Sequence, residues 1–155
     1  MSEHRAAISW KRTGQNFFKG QYSREHTWTF DGGITMPASP SPSIVPVPWS
    51  NPKYVDPEEA FVASIAACHM LTFLFVASKQ GFQVASYDDD AVGTMIKNEH
   101  GVPWVAKVTL RPKIVYDGDK QPSQDDIERL HHLAHEQCYI ANSVKTEVTV
   151  ESLST

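Results

Sequence analysis

Two features of this 155-residue chain predict an α+β fold: short alternating segments that read as strands are gathered in separate runs, and two helical segments interrupt them. The order is three strands, one long helix, three strands, a second helix and a last strand. Such a pattern predicts antiparallel sheets around a long buried central helix. The length fits a single domain over residues 1–155, large enough to bury a core without disulfide staples.

The first strand is expected over Ala6 to Arg12, with a turn region from Gly14 to Gly20. Tyr22 to Phe30 alternates clearly, placing Tyr22, Arg24, His26, Trp28 and Phe30 on one face. Asp31-Gly32-Gly33 turns the chain into Ile34-Thr35-Met36, a hairpin partner. Arg24 thus shares a face with aromatic side chains. Either it snorkels at an exposed strand end, or it is held inward to meet an anion. Pro37 to Pro57 carries seven prolines, an extended loop. Trp49, Val45, Val47 and Tyr54 make that loop too apolar for a free linker, so it should cover a site mouth or a subunit boundary.

The long helix begins at Asp56 and ends before Gly81. Asp56 can cap the first free N–H groups, Pro57 suits the first helical position, and Glu58 and Glu59 complement the macrodipole. Phe61, Ile65, Cys68, Thr72 and Phe75 fall on one face, and most of the remaining surface is apolar too. The run from Ala60 to Ala77 touches the lower length limit for a membrane span. It contains Ser64, Cys68, His69 and Thr72 and lacks aromatic and basic anchors on both flanks, so a core helix wrapped by sheet is the better reading.

Beyond it, Phe82 to Asp88, Ala91 to Asn98 and Val102 to Tyr116 are expected to form an antiparallel meander, with Asn98 to Gly101 as a turn. Ser123 caps a second helix, with Asp126 three residues later as in a capping box. Ile127, Leu130, Ala134 and Cys138 are in phase on its buried face. Val144 to Ser152 alternates as a half-buried last strand.

A formal charge of −4, a pI of about 5.9 and no concentration of Lys and Arg give no reason to expect a nucleic-acid partner. Met-Ser-Glu-His-Arg has no apolar stretch behind it, so no signal peptide is expected, and a cytoplasmic setting follows. In that reducing setting the two cysteines, Cys68 and Cys138, are expected as thiols, with any pairing transient and chemical.

As residues, the cysteines read first as two small core hydrophobes. A nucleophilic Cys68 needs a cation, because a mid-helix thiol gains nothing from the helix N-terminus. Arg24 is the candidate. His131 and His135 at i, i+4 and His135 and Cys138 at i, i+3 allow a metal site on the second helix. No His-Glu-x-x-His pattern supports it, and these histidines read as surface polar residues; no bound metal is expected. His69 is rotated about 100° from Cys68 around the helix and is poorly placed as its base.

With these residues laid out, the chain resembles the OsmC/Ohr family of osmotically inducible and organic hydroperoxide resistance proteins, and within it the OsmC-like subgroup. Asp56-Pro57-Glu58-Glu59-Ala60-Phe61 through Ala66-Ala67-Cys68 is similar to the family's Asn-Pro-Glu-Gln helix start, with a cysteine ten residues after the glutamate. Ala134-His135-Glu136-Gln137-Cys138 with Asn142-Ser143 resembles its second cysteine region. The Pro-Trp-Ser-Asn-Pro loop and Cys68-His69-Met70-Leu71-Thr72-Phe73 point to the subgroup.

The resemblance implies an OsmC-like fold, an intertwined homodimer and reduction of organic hydroperoxides to alcohols in oxidative-stress defence. Cys68 would attack the peroxide and become a sulfenic acid; Cys138 would condense with it, and an external dithiol of the lipoyl type would reopen the disulfide. Arg24 would match the arginine that lowers the thiol pKa and binds peroxide oxygens, with Arg12 as its competitor, and Glu58 the glutamate that positions it. No resident cofactor is implied. Ten helical residues separate Glu58 from Cys68 by about 15 Å, so a site using both would be built by two subunits. Cys138 is followed by Tyr139-Ile140 where the family commonly has proline, which leaves the meeting of the two sulfurs open. The competing reading is a dimeric binding protein whose apolar groove, lined by Trp49, Tyr54, Phe61 and Phe75, holds a hydrophobic ligand.

Overall fold

The long helix α1 spans Pro57–Lys79 and begins where the sequence puts it. A computed structural model describes residues 1–14 and 16–151 of the chain. Gln15 of the expected turn region and Ser152 of the expected last strand lie outside the described residues. The Asp56 carboxylate accepts the Glu59 N–H at 2.7 Å, and the Glu59 carboxylate accepts the Asp56 N–H at 3.0 Å. This reciprocal cap satisfies two donors that the first helical turn would otherwise leave free.

The chain divides into two compact units, residues 1–60 and 61–155. In the first, β1 (Ala6–Ser9), β2 (His26–Phe30) and β3 (Thr35–Ala38) form an antiparallel sheet in that order. Ile8 lies opposite Trp28, and Trp28 opposite Met36. Tyr22 to Glu25 is not strand: the Arg24 N–H donates to the Trp49 carbonyl of the proline-rich segment at 3.0 Å instead of to a sheet neighbour. That segment is anchored from within by the buried Ser39, whose hydroxyl accepts the Asn51 N–H at 2.8 Å.

In the second unit, β4 (Val84–Asp89) pairs with β7 (Pro112–Tyr116), while β5 (Val92–Lys97), β6 (Pro103–Leu110) and β8 (Glu147–Val150) form a three-stranded sheet. The expected meander is therefore corrected. Val102 to Tyr116 is two strands, broken at Arg111 before Pro112, whose ring cannot donate to a ladder. After the break the chain leaves β5 to pair with β4 instead, and β8 joins β6 in parallel, with Val108 opposite Val148. A side chain at Gly93 of β5 would place its Cβ 2.5 Å from Val62 of α1, so this strand glycine admits the helix.

Two apolar clusters fill this unit. Ile65, Val108 and Leu110 join α1 to the three-stranded sheet, and Phe73, Val76, Ala77 and Phe82 meet Leu130 and Ala134 of α2 (Gln124–Gln137). Ser123 caps α2 with the predicted box, its hydroxyl accepting the Asp126 N–H at 3.1 Å. The expectation of an all-buried α1 is corrected as well. Its buried stripe is Ile65, His69, Phe73, Val76 and Ala77, whereas Leu71 and Phe75 are exposed. With nearly every position apolar, the sequence periodicity could not choose the face, and the sheet and α2 cover one side only. α1 is long and apolar enough to span a membrane by length and composition.

Candidate active site

Cys68 sits half-buried in the middle of α1, and Cys138 is fully buried at the C-terminal cap of α2. The fold makes the two thiols neighbours, close enough for Cys68 to raise the pKa of Cys138, while both remain unbridged. The turn after Cys138 needs no proline. Its carbonyl accepts the Asn142 backbone N–H at 3.0 Å and the Asn142 side-chain amide at 2.9 Å, and the same amide reaches the Glu136 carbonyl at 2.9 Å. Asn142 thereby closes the helix end, a C-cap made by a side chain instead of by glycine.

Burial first, and then the Cys68 hydrogen bond, push the Cys138 thiol up to about 11. The Ala141 N–H, which donates to the Cys138 sulfur at 3.4 Å, opposes that shift only in part. Cys138 therefore keeps its proton at neutral pH and can offer the S–H to the sulfur of Cys68. The two thiols are inequivalent: one reachable, one sealed and protonated.

Beside them lies an open groove of about 590 Å³ lined by Leu71, Thr72, Phe75, Glu136, Gln137, Tyr139 and Asn142. Of the residues expected to line an apolar groove only Phe75 does so. Trp49 and Tyr54 belong to the first unit, and Phe61 packs into the cluster around Ile65.

Arg24 and Glu58 belong to the first unit and are described within it. The Arg24 guanidinium donates to the carbonyls of Gly20 and Tyr22, each at 2.7 Å, and lies 3.7 Å from the Tyr22 ring centroid. Gly20 takes a positive φ of 71°, and a Cβ there would meet the guanidinium at 3.7 Å. Arg24 is thus half-buried and fixed in place, with donors left over among the described residues; Arg12 is exposed. Glu58 is half-buried, and its Oε2 is buried without a hydrogen-bond partner among the described residues.

The histidines correct the sequence reading most. His131, expected at the surface, is buried, and so is His69; their Nε2 and Nδ1 atoms stand 3.0 Å apart with the rings stacked at 5.3 Å. His132 and His135 remain at the surface side of α2, where His132 pairs with Glu136 at 3.1 Å. No group of three or more His, Cys, Asp or Glu able to hold a metal exists among the described residues. A signal for the burial of His69, though not for its partner, was present in the spacing Ile65, His69, Phe73, which runs at i, i+4, i+8.

The OsmC-like protein family model matches residues 50–152. Among solved structures, an OsmC-like protein of unknown function from Vibrio cholerae is 54% identical, with 99% of this chain and 100% of that chain covered and a TM-score of 0.95. An organic hydroperoxide resistance protein OsmC from Legionella pneumophila is 19% identical, covering 100% of this chain and 98% of that one with a TM-score of 0.70. The organic hydroperoxide resistance protein OhrB of Bacillus subtilis is 20% identical over 96% and 98% of the two chains, with a TM-score of 0.65. The last two likenesses bear on the fold alone. No protein in the curated collection matches the chain.

Proposed function

The chain belongs to the OsmC-like protein family, and from that premise we propose that it is a thiol peroxidase that reduces organic hydroperoxides to alcohols. The observation that carries this reading is the nearness of a half-buried Cys68 to a fully buried Cys138, both as free thiols. Cys68 as thiolate attacks the terminal peroxide oxygen: an S–O bond forms, the O–O bond breaks, and the departing alkoxide takes a proton to leave as alcohol. Cys138 then attacks the sulfenic sulfur, forming the S–S bond and releasing water with its own proton. An external dithiol, itself oxidised to a disulfide, returns both thiols. The groove lined by Leu71 and Phe75 suits an apolar peroxide tail.

Arg24 is proposed as the cation that favours the thiolate and holds the peroxide oxygens, since fixed donors facing a developing charge need no reorganisation. Glu58, whose Oε2 lacks a partner among the described residues, is the carboxylate that orients a guanidinium. Because ten residues of helix lie between Glu58 and Cys68, this site is read as shared between two subunits of a homodimer. A cytoplasmic setting, where dithiol reductants are abundant, fits the free thiols.

The test is consumption of cumene hydroperoxide with a dihydrolipoyl compound as reductant. Wild-type protein is expected to turn over and Cys68→Ser to lose essentially all activity. Equal rates in both would reject the assignment.

A further inference from the structure

The chemistry above uses the two cysteines but leaves a second buried contact between the same two helices unexplained. His69 follows Cys68 on α1, and His131 precedes Cys138 on α2 by seven residues, close to two full turns. Two imidazoles inside an apolar core are costly unless they specify something. His69 is 1% exposed and His131 7%, and around them Phe73 stands 4.5 Å from the His131 ring and Tyr87 of β4 5.7 Å from Phe73. Apolar packing of Phe73, Val76 and Ala77 against Leu130 and Ala134 brings α1 and α2 together but resists neither sliding nor rotation strongly. The neighbouring thiols mark one point of the helix pair. A directional hydrogen bond at a second point fixes the rest.

The proton in that bond can be placed by accounting for the remaining ring nitrogens. His69 Nδ1 is buried and has no partner among the described residues. If it carried a proton, a donor would be orphaned in the core; as a bare lone pair it costs less. His69 therefore donates from Nε2, and His131 accepts at Nδ1, leaving the His131 Nε2–H toward an open cleft lined by Ile127, Glu128, His132, His135 and Val150. Protonating His131 at Nδ1 removes the acceptor and breaks the bond. Protonating His69 at Nδ1 buries a cation.

The groups facing the pair offer that cation little. On α1 there is Cys68. On α2 there are His135, which disfavours a charged His69, His132 and Glu128 at the cleft, and the protonated Cys138 at the end. From β4 comes the phenol of Tyr87, which burial holds in its neutral form, and β8 presents Val150. Burial foremost pulls His69 down to about 3, and burial pulls His131 down to about 4, so the pair is neutral at physiological pH.

The geometry points to His69 and His131 as positioning residues for the cysteine centre: their neutral hydrogen bond sets the register of α1 on α2 that keeps Cys68 in reach of Cys138, and acid releases it. The inference deepens the peroxidase reading by naming a control on its disulfide step. It can be tested without any peroxide.

The experiment equilibrates the reduced protein with a dithiothreitol redox buffer at pH 7.5 and pH 4, a selenol catalyst bringing both to equilibrium, and reads the Cys68–Cys138 disulfide by mass. His131→Asn keeps an acceptor where Nδ1 stood and cannot titrate, and His69→Gln keeps a donor where Nε2 stood. His131→Leu keeps neither. Loss of one hydrogen bond from the register is expected to lower the disulfide equilibrium constant of His131→Leu about fivefold to tenfold at pH 7.5, with His131→Asn and His69→Gln near wild type. Between pH 7.5 and 4, where His131 becomes about half protonated, the constant of wild type is expected to fall about twofold relative to that of His131→Asn. A His131→Leu constant equal to wild type, or the same pH dependence in wild type, His131→Asn and His69→Gln, would overturn the inference. Should His131→Leu not fold, the comparison of wild type with the two amide variants decides alone. A peroxidase that fails on hydroperoxides but shows these constants would leave the inference standing and remove only the substrate.

Discussion

His69 and His131 show how one residue's environment governs its chemistry. In the unfolded chain both imidazoles titrate near 6.5, whereas in the fold they are held near 3 and 4 by burial. Between those limits the unfolded state binds more protons, so stability is fully present above about pH 6.5 and is lost as pH falls toward 4. The slope for each histidine approaches about 1.4 kcal/mol per pH unit. Urea midpoints measured at pH 7.5 and pH 5 are expected to fall more for wild type than for a His69→Gln, His131→Asn double variant. Equal falls would show that carboxylates elsewhere carry the acid sensitivity. The pair was not legible, because His131 was expected at the surface by residue type and only three-dimensional proximity makes it the partner of His69. The cysteines were legible as residues of interest, but their contact was not.

Among the elements, those with local punctuation were read well. Asp56 and Pro57 at one helix start and Ser123 with Asp126 at the other carry their signal within four residues, and the caps formed as expected. Pairing between strands was read poorly, because it depends on partners far apart in sequence. Nothing near Val144 announces that β8 will lie parallel to β6, and the alternation of Val102 to Tyr116 conceals the break that Pro112 enforces. The face of α1 failed for the opposite reason. Its apolar residues surround the helix, so burial of His69 and exposure of Phe75 were decided by what the rest of the fold covers. Arg24, read as a strand residue, is set by carbonyls of the preceding turn.

For the whole molecule, an α+β architecture with two helices and mainly antiparallel sheets was legible, and the family with it. The reading of a shared site makes a claim about assembly: light scattering should give a mass near twice 17.3 kDa, and Glu58→Ala mixed with Cys68→Ser should restore activity in half-complementing sites. A monomer with full activity would remove that claim while leaving the cysteine chemistry in place. The cysteine chemistry itself is tested most directly by intact mass and free-thiol count on the purified reduced protein, before and after one equivalent of cumene hydroperoxide, with Cys68→Ser and Cys138→Ser in parallel. The account predicts loss of two hydrogens and both thiols in wild type, no change in Cys68→Ser, and gain of oxygen on Cys68 in Cys138→Ser. Thiols that survive untouched in wild type would contradict it, and the groove beside them would then be examined as a binding site for an apolar ligand.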